Sequence, residues 1–174
     1  MFHIFGPMNT AYILLGSNEG DRLQHLTNAL NFIQQEAGNI VKTSAVYTTL
    51  AWGYTEQPDF LNQVICIDTS LSAQQLLQTL LSVEKKLGRI RSSTKWMQRI
   101  IDLDVLFYND TIIDSPELKV PHPHLQDRKF VLIPLQEIAP TYVHPLFKKN
   151  ITTLTAECKD LLEVRKLHLE HSKS

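Results

Sequence analysis

The spacing of apolar and polar residues changes several times along this chain. Residues 10–18, TAYILLGSN, form an apolar run closed by a Gly-Ser-Asn turn, which predicts a buried strand. From Asp21 onward Leu23, Leu26, Leu30, Ile33 and Ala37 recur at helical spacing, and Gly38 ends the pattern. Residues 39–50, NIVKTSAVYTTL, alternate and are rich in β-forming side chains. Gly and Pro punctuate the loop at 51–59, and FLNQVICIDTS at 60–70 predicts the next strand. Ser72 suits the N-cap of a helix over 73–87. Its stripe is Ala73, Leu76, Leu77, Leu80 and Leu87, with Gly88 as the stop. A polar loop at 89–98 leads to a strand at 100–108, a turn at YNDT and a short strand at Ile112–Ile113. Residues 114–128 read as irregular. KFVLIPLQEIAP, 129–140, predicts a helix interrupted or bent near Pro134. The tail from Thr152 predicts a last helix that frays into polar residues.

The resulting order, β-α-β-β-α-β, is that of an α+β, ferredoxin-like arrangement. Two helices lie on one face of a mainly antiparallel four-stranded sheet, and extra C-terminal helices follow. With 174 residues, 43% of them hydrophobic, and no internal repeat, a single domain over 1–174 is expected. Its core would occupy about 10–145, with 146–174 as a C-terminal extension. The net charge of −1 gives no reason to expect nucleic acid or an anionic membrane as partner. No apolar run reaches the roughly 18 residues that span a bilayer. MFHIFGPMNT lacks the features of a signal peptide, and Met8 is an alternative start. Cys66 sits in the apolar VICID and is expected as a buried free thiol. Cys158 is far away, which fits a reducing, cytoplasmic setting. A monomer is expected.

One stretch departs from its surroundings. RIIDLDVLF, 99–107, has strand composition yet carries Asp102 and Asp104. Side chains two apart on a strand share a face. The two acids therefore oppose Ile101, Leu103 and Val105, which suit the helix-covered side. Two carboxylates about 6 Å apart at an effective dielectric near 20 repel by roughly 3 kcal/mol. A divalent cation removes that cost, and Mg²⁺ accepts one or two carboxylates plus phosphate and water oxygens. Taken alone, the pair is equally an exposed strand face that carries charge. Its flanks change the balance. Arg89, Arg91, Lys95 and Arg99 lie on one side, and Lys119, His122, His124, Arg128 and Lys129 on the other. Acids between cationic loops fit a metal-bound polyphosphate, with arginines neutralising the remaining oxygens. Glu84 falls on or beside the apolar stripe of its helix and wants a partner, for which Arg91 is a candidate. PHPH at 121–124 has no third ligand at zinc spacing. No P-loop is present. Trp52, Phe60, Trp96 and Phe130 adjoin polar segments and could grip a flat heterocycle, whose edge Asn62 could read. Phe60 and Phe130 could as well be core.

AYILLGSN (11–18), GYTEQPDFLNQV (53–64), SVEKKLGRIR (82–91), RIIDLDVLFYN (99–109) and VPHPHLQDRKFVLIPLQEIAP (120–140) together resemble a known family. It is the 6-hydroxymethyl-7,8-dihydropterin pyrophosphokinases of folate biosynthesis. The resemblance implies a ferredoxin-like fold and Mg²⁺-dependent transfer of the terminal diphosphate of ATP to the pterin hydroxymethyl group. It implies that Asp102 and Asp104 hold two Mg²⁺ ions and that Arg89 and Arg99 stabilise the transferring group. It places Glu84, Arg91, Trp96, Val105, Lys119, His122 and Arg128 at the ATP site. Thr49, Trp52, Phe60, Asn62, Trp96 and Phe130 would form the pterin pocket, with loops 51–59 and 89–98 closing over both substrates. Three positions depart from the family pattern. KWMQR (95–99) replaces the usual R-W-G-P-R, Ala51 stands where Pro is common, and Leu81 where a polar residue is common. Losing Gly and Pro changes the loop's backbone freedom, so altered loop kinetics are expected from an active enzyme. Two other readings of the residues are a phosphohydrolase or nuclease using the D-x-D pair, and a non-catalytic ferredoxin-like binding module.

Overall fold

The structure is a computed structural model, and it describes residues 6–49, 58–88 and 100–168. Strand β1 (Asn9–Ser17) runs through the middle of the sheet. Gly16 and Ser17, expected in a turn, still belong to it. Both pair with neighbouring strands, and strand pairing outweighs the local turn signal there. Helix α1 (Arg22–Glu36) follows. Asp21 caps it by accepting the N–H of Gln24 at 3.1 Å, and Leu26, Ala29 and Ile33 are buried on its inner face. The chain then passes Gly38, where a Cβ would come within 2.3 Å of the Asp68 carbonyl oxygen; only glycine fits so close an approach.

The β-rich segment expected over 39–50 is two strands, β2 (Asn39–Thr43) and β3 (Tyr47–Thr49). Ser44 causes the break. Its N–H still donates to the Val64 carbonyl at 2.9 Å, but its Oγ accepts the N–H of Val64 at 2.9 Å and its carbonyl accepts Gln63 Nε2 at 2.9 Å, so side-chain bonds replace the rest of the ladder there. Strand β4 (Phe60–Thr69) leads to α2 (Ala73–Lys86). A capping box starts α2: Ser72 Oγ accepts from Gln75 N, and Gln75 Oε1 accepts from Ser72 N. Val83 and Glu84 complete its buried stripe, where Leu77 and Leu87 are only half-buried.

Strand β5 (Asp102–Tyr108) pairs with β1. Strands β6 (Ile113–Asp114) and β7 (Lys119–Val120) form a separate ribbon, so the segment expected to be irregular is partly ordered. Helix α3 (Lys129–Ile138) runs unbroken through Pro134. The missing backbone donor is outweighed by the burial of Val131, Leu132, Pro134, Leu135 and Ile138. Helix α4 (Ile151–Glu157) is capped by Asn150 and is followed by β8 (Val164–Lys166), an edge strand where fraying was expected. Its charged residues carry no apolar alternation to announce it.

The main sheet has six strands among the described residues where four were expected, because the β-rich segment is split in two and β8 adds an edge. Its order is β5-β1-β4-β3-β8, with β2 also on β4, and every pairing is antiparallel. Its two faces have separate cores. Ala11, Ile13, Leu15, Leu103 and Val105 face α1 and α2. Tyr12, Leu14, Val64, Cys66, Leu106 and Phe107 face α3 and α4. A bulge between Tyr12 and Ile13 lets β5 present Leu106 and Phe107 together to the second core. Cys66 is buried and free, as expected. Among the described residues no helix is long and apolar enough to cross a membrane.

Candidate active site

Helices α3 and α4 cover only part of the second face. Strand alternation continues past their reach and brings a different set of side chains to the same side of the sheet. Cross-strand register aligns Tyr47, Asn62, Gly16 and Asp102 in one row over β3, β4, β1 and β5. Thr49 and Phe60 form the neighbouring pair on one side, and Asp104 lies opposite Leu14 on the other. Asp102 and Asp104 are half-buried, with Ile101, Leu103 and Val105 buried toward α1 and α2 between and around them. The sequence expectation of two acids turned away from the helix-covered core therefore holds. Asn62 and Thr49 are almost fully enclosed. Among the described residues Thr49 Oγ1 has no hydrogen-bond partner, and a buried hydroxyl left unpaired costs about 1–3 kcal/mol. A ligand contact would remove that cost.

The segment after β7 runs beside β5. His122 N donates to the Leu106 carbonyl at 2.9 Å, and His122 Nδ1 accepts the N–H of His124 at 3.2 Å. The neutral ring therefore carries its proton on Nε2. Burial, then the Arg128 and His124 charges, push the His122 pKa down to about 4; Asp102 opposes them. Arg128 is exposed, with its guanidinium carbon 5.7 Å from the centre of the Phe130 ring. Phe130 is half-buried and packs on the second core at the start of α3. The alternative that it is a core residue is thus met in part.

Three expected site residues take other roles in part. Val105 is buried in the helix-side core, so its main chain alone is left for a ligand. Lys119 is exposed and ion-paired with Asp114 across the β6–β7 ribbon. Glu84 does not reach solvent. It is 3% exposed, and its Oε1 accepts the N–H of Leu103 at 3.0 Å, on the strand residue between the two aspartates. Trp52, Arg89, Arg91, Lys95, Trp96 and Arg99 lie outside the described residues. So do the departures at Ala51, Met97 and Gln98.

Register and hydrogen bonding also bring to this region residues that the sequence pattern did not single out. Glu137, near the end of α3, accepts the N–H of Ala45 at 2.9 Å and the hydroxyl of Tyr47 at 3.1 Å. It ties α3 to β3 and hence to Thr49. Burial and this contact push the Tyr47 pKa up to about 12, so the phenol stays a donor. Gly16 lies between Asn62 and Asp102, and only the pairing of three strands makes that visible.

Fold and site together define a ferredoxin-like α+β enzyme. One sheet end gathers two acids, a buried amide, a hydroxyl without a partner among the described residues, and the Phe60 ring on one face. The chain belongs to the 7,8-dihydro-6-hydroxymethylpterin-pyrophosphokinase (HPPK) family, whose profile matches residues 12–140. It is 43% identical over 150 residues to the 2-amino-4-hydroxy-6-hydroxymethyldihydropteridine pyrophosphokinase of Aquifex aeolicus, covering 86% of this chain and 92% of that protein. The Bacillus subtilis protein of the same name is 44% identical over 131 residues, 75% of this chain and 78% of its own. Among solved structures, an HPPK-DHPS in complex with substrates superposes with a TM-score of 0.70 at 16% identity, covering 86% of this chain and 43% of that one. Plasmodium falciparum HPPK-DHPS, wild type with STZ-DHP, gives 0.68 at 17% identity, with 87% and 41% covered. Both carry the same fold, and this chain spans less than half the length of either.

Proposed function

We propose that the protein transfers the terminal diphosphate of ATP to the hydroxymethyl group of 6-hydroxymethyl-7,8-dihydropterin, in folate biosynthesis. The hydroxymethyl oxygen forms a bond to the β-phosphorus, the bond from that phosphorus to the α–β bridging oxygen breaks, and AMP and one proton are released. The observation that carries this reading is the row Asn62, Gly16, Asp102. It sets a buried amide and an acid on one face, two strand spacings or about 10 Å apart. That span suits a fused two-ring heterocycle whose edge is read at one end and whose one-carbon arm reaches the acids at the other. Family membership supports the same substrates.

The donor set fits Mg²⁺. Among the described residues no group of three His, Cys, Asp or Glu could hold an ion. A pair of carboxylates leaves the other positions to water and phosphate, as Mg²⁺ prefers. Asp102 and Asp104 would hold the two Mg²⁺ ions that the resemblance implies, and when bound these would neutralise phosphate charge. The chain's own residues do the rest. His122, neutral and with Nδ1 engaged, offers Nε2–H to an anionic oxygen. Arg128 and Lys119 add positive charge on the same flank, and Val105 offers main chain to the nucleotide. Glu84 holds the β5 backbone between the acids while belonging to the ATP side. Thr49 and Asn62 read the pterin edge, with Phe60 and Phe130 beside the ring. By family resemblance Trp52 and Trp96 complete that pocket, Arg91 and Trp96 the ATP side, and Arg89 and Arg99 neutralise the transferring group. Such a step is mostly positioning and charge neutralisation.

The test is incubation with ATP, Mg²⁺ and the pterin, each omitted in turn. AMP formed only when all three are present supports the proposal. ADP or phosphate formed without pterin supports a phosphohydrolase instead.

A further inference from the structure

We propose that Gly16 is a specificity-determining position, whose missing side chain sets the pose of the Asn62 amide and so the affinity for the pterin. This rests on the pterin reading of Asn62 given above. A Cβ built on Gly16 would lie 3.0 Å from Asn62 Oδ1 and 3.9 Å from the Leu61 carbonyl oxygen, and it meets nothing else within 4 Å among the described residues. The Asn62 carboxamide therefore leans over Gly16. On its other flank stands Tyr47, its register partner on β3, whose hydroxyl is held by Glu137. With a fixed phenol on one side, the amide has its room over the glycine.

Two comparisons separate this glycine from a packing glycine. At Gly38 a Cβ would collide with backbone at 2.3 Å, so the fold itself demands glycine. At Gly16 the only tight contact is the far end of a side chain that rotates. Nor does conformation require it: the positive-φ glycines of the described chain are Gly20 and Gly88, and Gly16 is ordinary extended strand. Glycine in the middle of a central strand weakens the strand and forgoes a packed side chain. Neither close backbone packing nor backbone conformation explains Gly16. The space it leaves beside the amide does.

The experiment is a double-mutant cycle of Gly16→Ala and Asn62→Ala, read as KM for pterin, KM for ATP, kcat and melting temperature. Gly16→Ala is expected to raise the pterin KM about tenfold or more, the loss of one well-placed hydrogen bond. The ATP KM should stay within about twofold, a difference too small to reflect a lost contact. The double variant should match Asn62→Ala alone, because the methyl acts through an amide that is gone. An unchanged pterin KM in Gly16→Ala overturns the inference, as does an additive double variant or an equal rise in both KM values. So does an Asn62→Ala protein whose pterin KM is unaltered. If Gly16→Ala fails to fold, recovery of folding in the double variant supports the amide clash, and failure of both overturns it. Wild-type protein that makes no AMP with pterin fails the proposed function first, before any variant is compared.

Discussion

His144 is a side chain whose protonation opposes folding. It is 1% exposed, its Nδ1 accepts the N–H groups of Leu146 and Phe147 at 3.1 and 3.2 Å, and burial pushes its pKa down to about 4. An unfolded histidine titrates near 6.5, so acid favours the unfolded chain. The stability contribution is intact above pH 6.5 and is lost as pH falls toward 4, up to about 3 kcal/mol. His144→Asn keeps an acceptor at the δ position and removes the titration. Urea unfolding between pH 4 and 7 should show a variant weaker at pH 7, from lost packing, with a shallower loss toward acid. His122 has the same sign and leaves some slope behind; an unchanged slope would rule out the His144 account. At the acid pair, Asp104→Ala should lower turnover at least ~1000-fold while cooperative unfolding persists, because the side chain points away from the helix-side core. Non-cooperative melting in that variant, followed by circular dichroism, would contradict the assignment. The faces of these acids were legible from alternation alone, since a strand has only two sides. Roles fixed by a partner strand, such as Gly16 beside Asn62, were not.

Helix α3 joins two distant duties. Its first turn carries Phe130, and near its last turn Glu137 holds Ala45 N and the Tyr47 hydroxyl. Glu137→Ala leaves two donors without their acceptor and should cost about 1–3 kcal/mol in denaturant unfolding. Glu137→Gln, which keeps one acceptor oxygen, should cost less, and equal losses would point to charge alone. Elements with their own start and stop residues were legible in the sequence: α1 from Asp21, α2 from Ser72, and β4 from its apolar run. What failed to show was decided at a distance. Pro134 predicted a helix interrupted or bent there; it is not interrupted, because burial against β4 and the second core holds α3 continuous. Ser44 divides the β-rich segment because of what it meets on β4, which local composition does not contain.

At the scale of the molecule, the chain returns after α4 to place β8 on the outer edge of β3. Thr48 pairs with Arg165, Thr49 with Val164, and Leu167 N donates to the Val46 carbonyl at 2.8 Å. A three-residue charged strand is a common way of blunting a sheet edge. Shortening the chain after Asp160 should raise amide hydrogen exchange in β3 while β1 and β4 keep their protection. Loss spread evenly over the sheet would refute that local role. The mainly antiparallel sheet was legible from the β-α-β-β-α-β sequence of elements, but β8 was not, because Val164 followed by two cations shows no apolar alternation.

This closing strand has a practical meaning for anyone who builds on the protein. Any cargo fused behind Ser174 would follow closely on a short ribbon hydrogen-bonded to the strand that ends in Thr49. If Thr49 reads the pterin edge as proposed, a pull on that ribbon is expected to raise the pterin KM before it lowers the melting temperature, and a longer spacer should relieve it.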